Sequence, residues 1–115
     1  MSTDCLFCKI VSGQIPSRAL YEDDEVLAFS DIAPQAPVHV LLIPKRHIAG
    51  AQALDSADAA LLSRLFEVAR HLAEELGVVK SGYRLVTNVG KDGGQSVPHL
   101  HFHLLGGRAL QWPPG

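Results

Sequence analysis

The sequence predicts one α+β domain: a sheet of about five strands, mostly antiparallel, covered by one long helix and accompanied by a short N-terminal helix. Three observations predict it. The length, 115 residues, is that of a single domain. Several short segments of alternating or apolar character are bounded by turn residues, as strands are. Only one segment carries apolar residues at helical spacing over many turns.

Taken in order, residues Leu6–Val11 suit the short helix. Residues 20–22 and 26–30 read as strands divided by the acidic turn Asp23–Asp24. Residues 38–43 are almost wholly apolar, so this third strand belongs at the centre of the sheet, and Pro44 ends it. The long helix follows. Asp55 or Ser56 can cap it, Asp58 suits its first turn and Gly77 is placed to stop it. Leu61, Leu65, Val68, Leu72 and Leu76 form its stripe, widened by Leu62, Phe66, Ala69 and Ala73. Residues 83–89 and 100–105 are the last two strands, joined by the loop 90–98. No repeat, low-complexity tract or linker interrupts residues 1–115, which form the single domain.

Bulk composition narrows the function. Apolar residues make up 47% of the chain and the formal charge is only −2, with no basic run, which argues against a nucleic-acid or membrane partner. Residues 38–43 are far too short to cross a bilayer, and no secretory leader is expected. The two cysteines, Cys5 and Cys8, are then expected as thiols in a reducing cytoplasm.

The chemistry concentrates at residues 99–103. Side chains alternate across a strand, so His99, His101 and His103 share one face while Leu100, Phe102 and Leu104 point to the other. A slip of one residue would bury the histidines instead, which fixes the register. Histidines two apart on a strand lie roughly 7 Å from each other, close enough to share one substrate. A solvated polar face is an uneconomical use of three histidines, and the residues alone leave a metal site and an acid–base or nucleophilic site equally open. The preceding loop, from Asn88 to Ser96, favours the second. Its glycines let backbone N–H groups approach an anion, and it is not a Walker A loop, because the G-K-[ST] ending is missing. No carboxylate accompanies the histidines on their own strand.

The run Ser96-Val97-Pro98-His99-Leu100-His101-Phe102-His103-Leu104-Leu105-Gly106-Gly107-Arg108 resembles the histidine-triad signature, H-φ-H-φ-H-φ-φ with φ apolar. Asp31-Ile32-Ala33-Pro34-Gln35-Ala36-Pro37-Val38-His39, Ile43-Pro44-Lys45-Arg46-His47 and the tail Trp112-Pro113-Pro114-Gly115 are similar to the Hint (histidine triad nucleotide-binding) branch of that superfamily, so the resemblance covers nearly the whole chain. It implies a purine nucleoside phosphoramidate hydrolase acting at the α-phosphate, with His101 as nucleophile through a nucleotidyl-histidine intermediate. His103 would bind the phosphate, and His39 would back the triad. The leaving group would be protonated by Ser96 or by a protonated histidine. The resemblance makes Asp31 a ribose ligand, with Ile32, Asn88, Gly94, Gln95 and Ser96 as further nucleotide contacts; Phe7, Ile10, Phe29 and Leu41 are candidates for the base pocket. It also implies a homodimer with a continuous sheet, in which the tail 107–115 crosses over and brings Trp112 near the partner's site.

Cys5 and Cys8 have the spacing of half a zinc site, with His47 and His99 as the remaining ligand candidates. Some branches of the superfamily hold structural zinc in this way; packed thiols or a redox pair are the alternatives. No catalytic cofactor is expected. Rival functions are a dinucleoside polyphosphate hydrolase or nucleotidyltransferase of the same superfamily, a nucleotide-binding regulatory protein with little catalysis, and a metalloenzyme liganded by His99, His101 and His103. His71, amid the charges of the long helix, is expected at the surface.

Overall fold

The computed structural model describes residues 4–115. In chain order the elements are α1 (Leu6–Val11), β1 (Ala19–Glu22), β2 (Val26–Ser30), β3 (Val38–Pro44), two 3-10 turns (Ala51–Ala53 and Ser56–Asp58), α2 (Ala59–Glu75), β4 (Tyr83–Val86) and β5 (Phe102–Gly106). The five strands form one sheet in the order β1-β2-β3-β5-β4, and every pairing is antiparallel. The nearly continuous apolar run of β3 accordingly occupies the centre, with neighbours on both sides.

Alternation divides the sheet's side chains between two cores. Val26, Ala28, Val40, Leu42 and Leu104 face α2, whose Leu61, Leu65, Val68, Ala69 and Leu72 complete the larger core. Leu27, Phe29, Leu41 and Ile43 face the other way and pack with Cys5 and Phe7 of the α1 segment. Asp55 caps the turn leading into α2, accepting from Ala57 N at 2.8 Å, while the Asp58 carboxylate reaches back to Asp55 N. The stop falls at Gly77, whose φ of +75° is a left-handed conformation that a side chain would strain. The expected stripe is narrower than the sequence suggests. Phe66 and Leu76 are exposed, because the sheet covers less of the helix's circumference than its apolar residues span.

Two strands differ from expectation. The expected strand 83–89 ends at Val86, and the expected strand 100–105 begins only at Phe102. The last β3–β5 pair is Leu42↔Phe102, after which β3 leaves its partner. Leu100 N instead donates to Ile48 O at 2.6 Å, and His99 and His101 occupy irregular backbone ahead of the sheet. Packing still carries the alternation into this segment, for Leu100 lies in the α2-side core and His99 and His101 pack on Phe7. Among the described residues no helix is long and apolar enough to cross a membrane.

Candidate functional site

The histidines converge beneath α1, but they divide into two groups. His99 turns away from the other two. Its Nδ1 lies 3.4 Å from Cys5 Sγ and 3.6 Å from Cys8 Sγ, and Cys8 Sγ lies 3.3 Å from His47 Nδ1. The ligand atoms of Cys5, Cys8, His47 and His99 all fall within 4.8 Å of one another. His99 Nε2 sits 2.8 Å from Pro44 O, a carbonyl that can only accept, so that nitrogen holds the proton and Nδ1 keeps its lone pair toward the sulfurs. Two sulfurs and two imidazole nitrogens form a donor set suited to tetrahedral zinc.

His101 is 3% exposed, its ring edge-on to Phe7 with centroids 5.1 Å apart. Its Nδ1 lies 2.7 Å from His99 O and must donate, which leaves the lone pair on Nε2. Among the described residues no buried side-chain nitrogen or oxygen lacks a hydrogen-bond partner, and Nε2 has none, so Nε2 is the atom that reaches solvent. The ring is thus held with Nε2 outward, the nitrogen that is nucleophilic in a neutral imidazole.

His103 adjoins it, ring centroids 5.1 Å apart, on the first residues of β5. Diagonally across on β3, where Leu41 is the register partner of His103, His39 accepts from Gln35 N through Nδ1 at 3.0 Å. Its proton therefore resides on Nε2, which donates to His103 Nδ1 at 2.9 Å. His103 is left with its own proton on Nε2, the nitrogen facing away from that bond. Burial lowers the pKa of His39, an effect the nearby Asp31 carboxylate opposes. Burial, with the neighbouring His101 and His39, holds His103 down at about 4, again against the pull of Asp31. Burial also depresses His99. His39, His99 and His103 are thereby held toward the neutral form.

Asp31 supplies the carboxylate that the histidine segment itself lacks. Asp31 N donates to His39 O at 3.0 Å, and its Oδ2 lies 3.3 Å from His39 Nε2. Asp31, His39 and His103 could be read as a second metal cluster. The Gln35 N–H bond argues against it, because it occupies the only lone pair of His39. The arrangement is a hydrogen-bonded relay.

Beside the histidines lies a cavity of about 560 Å³. Leu6, Phe7, Ile10, Phe29 and Leu41 give it an apolar wall, with Asp31, Ile32 and Ser96 at its edge. Ile32 is 99% exposed, an apolar side chain held over the mouth. Ser96 is exposed on the loop before His99. Asn88 is half-buried just beyond β4, and Gly94 is exposed with φ +80°. The Gln95 side chain braces the loop, accepting from Gly90 N and donating to Ala49 O and Val97 O. Trp112 is 80% exposed on a tail tied back where Arg84 donates to Gln111 O at 2.9 Å. His71 is at the surface, paired with Glu75. Sequence reasoning missed Gln35, which acts through its backbone and so leaves no trace in residue type. It also missed Leu6, Ile15 and Arg18 on the cavity wall.

A compact antiparallel sheet that gathers His39, His101 and His103 beside an apolar cavity is the architecture of a histidine-triad protein. The HIT domain matches residues 12–110, and the chain belongs to the HIT family. An uncharacterized HIT-like protein of Synechococcus elongatus is 51% identical over the whole of both chains, and one from Synechocystis is 50% identical over the same span. Among solved structures, a HIT family hydrolase from Legionella pneumophila superposes with a TM-score of 0.96 at 52% identity, covering 97% of this chain and 100% of that one. A HIT family hydrolase from Clostridium thermocellum gives 0.93 at 47%, covering 96% of each.

Proposed function

We propose that this chain hydrolyses purine nucleoside phosphoramidates, releasing a nucleoside monophosphate and an amine. The observation that carries the reading is the fixed tautomer of His101, proton on Nδ1 against the His99 carbonyl and lone pair on an outward Nε2. The cavity supports a flat, apolar base, with Asp31 beside it to accept from ribose hydroxyls.

Nε2 of His101 attacks the α-phosphorus, a P–Nε2 bond forms, and the P–N bond to the amine breaks with its electron pair leaving on nitrogen. That nitrogen takes a proton from Ser96 or a protonated histidine. Water then attacks the same phosphorus, its proton passes to the group that protonated the amine, the P–Nε2 bond breaks with its electron pair returning to Nε2, and His101 is restored. His103 donates through Nε2 to a phosphate oxygen as charge grows there, with its direction set by His39. His101→Ala should abolish turnover while leaving AMP binding nearly intact; near-normal rates in that variant would end the proposal. Running an adenosine phosphoramidate beside a diadenosine polyphosphate separates this activity from that of a dinucleotide hydrolase.

Cys5, Cys8, His47 and His99 hold a structural zinc in this reading, which would pin α1 and its Phe7 against the triad and supply no chemistry. The protein acts as a homodimer, an assembly supported by the unpaired edge of β4 and the exposure of Trp112.

A further inference from the structure

We propose that Asp31 is a positioning residue for the reaction as well as a wall of the nucleoside cavity: its carboxylate flanks the His39–His103 hydrogen bond and holds the pair in the arrangement that points His103 Nε2–H at the phosphate. The inference rests on the phosphoryl-transfer reading of the site and deepens it.

Two hydrogen bonds of the β2–β3 hairpin place the carboxylate. Asp31 N donates to His39 O at 3.0 Å, continuing the ladder one step beyond the Ser30↔Val40 pair. Asp31 Oδ1 accepts from Ala33 N at 2.8 Å, which fixes the side-chain rotamer. Oδ2 is thereby left 3.3 Å from His39 Nε2, and that nitrogen's proton is committed to His103 Nδ1 at 2.9 Å. A negative charge at that distance favours a proton on Nε2 over Nδ1 and stabilises any positive charge the two rings take up as the phosphate gains negative charge. The other charged or titratable groups facing the pair are His101, ahead of β5, and Arg18, ahead of β1, which lines a cavity shared with Asp31 and His39. Asp31 is the only carboxylate among the residues of that cavity. The same group thus faces the ribose and the proton relay, so nucleoside binding and phosphate chemistry meet at one side chain.

The test is Asp31→Asn, which keeps an oxygen for Ala33 N and removes the charge. Wild type and variant are compared on an adenosine phosphoramidate and on its 2',3'-dideoxy analogue, which has no hydroxyls for Asp31 to bind. A positioning role predicts that kcat on the dideoxy substrate still falls roughly tenfold to a hundredfold, the scale of one lost interaction with a charged group. Equal kcat for the two proteins on the dideoxy substrate would reduce Asp31 to a ribose ligand and overturn the inference. Nitrogen-15 NMR of the histidines in the substrate-free protein decides it independently of any activity. The His39–His103 pair should titrate at lower pH in Asp31→Asn than in wild type, and superimposable titrations would refute the role even if the phosphoramidase reading fails for other reasons. A thermal unfolding trace of the variant checks that the fold is kept.

Discussion

Replacing His103 by glutamine should flatten the protein's loss of stability in mild acid. The ring is held at a pKa of about 4, well below the ordinary histidine value of 6.5, mainly because burial penalises its charged form. Between those two values the unfolded chain binds a proton at this site and the folded chain does not, so stability is lost as pH falls from about 6.5 toward 4 and is untouched above that window. Each pH unit between the two values is worth about 1.4 kcal/mol, which sets the full effect at about 3 kcal/mol. Part of the shift is coupling to the neighbouring His101 and His39 rings, and the ring is only half-buried, so the component removed with His103 alone is about 2 kcal/mol. Glutamine retains an oxygen that can accept from His39 Nε2, which limits the change at neutral pH. The assay is urea unfolding of both proteins at pH 7.5, 6, 5 and 4.5 (roughly spanning the window) with the difference taken at each pH. Protonation of the Cys–His cluster affects both proteins and cancels in that difference. Stabilities that fall in parallel across the range would refute the claim that His103 is neutral and desolvated in the folded protein.

Three further outcomes are expected. Ser96→Ala should slow release of an alkylamine by roughly tenfold to a hundredfold and release of a weakly basic arylamine far less, as a proton donor requires; equal losses for both would remove Ser96 from that role. Cys8→Ser, or chelation of the wild type, should lower the unfolding temperature by about ten degrees and weaken AMP binding with it, because α1 carries Cys8 and Phe7 and is capped by Cys5; an unchanged unfolding temperature would argue for two packed thiols. Sedimentation at micromolar concentration should give a dimer of the 12.4 kDa chain, and a variant ending at Leu110 should keep phosphate chemistry while losing discrimination among amines; a wild-type monomer would sink the tail's proposed role.

Much of this was legible from residue type alone, and what escaped did so for physical reasons. Leu6–Val11 and Val26–Ser30 form the elements expected of them, and Asp55 and Gly77 bracket the long helix, because caps and glycine stops act within a few residues of themselves. The start of β5 was not legible. A strand needs a partner, and β3 has turned away by the level of Leu100, a fact about residues 45–48. Alternation nevertheless sorted the segment correctly, since packing against α2 and Phe7 demands it with or without the ladder. The grouping of the histidines was half visible: C-x-x-C drew His99 toward the sulfurs, while the link from His39 to His103 spans 64 residues and depends on strand order. The carboxylate missing from the histidine strand was supplied by a neighbouring hairpin, which no inspection of that strand could reveal.

The central claim is that His101 Nε2 carries the nucleotide during turnover. Mixing the protein with a slowly hydrolysed adenosine phosphoramidate, quenching during the first turnover and measuring intact mass tests it, followed by fragmentation at a pH that preserves P–N bonds. One adenylyl group per chain, mapped to His101 and absent from His101→Ala, is the predicted result. Product formed in the first turnover with no adduct, or an adduct on any other side chain, would contradict it.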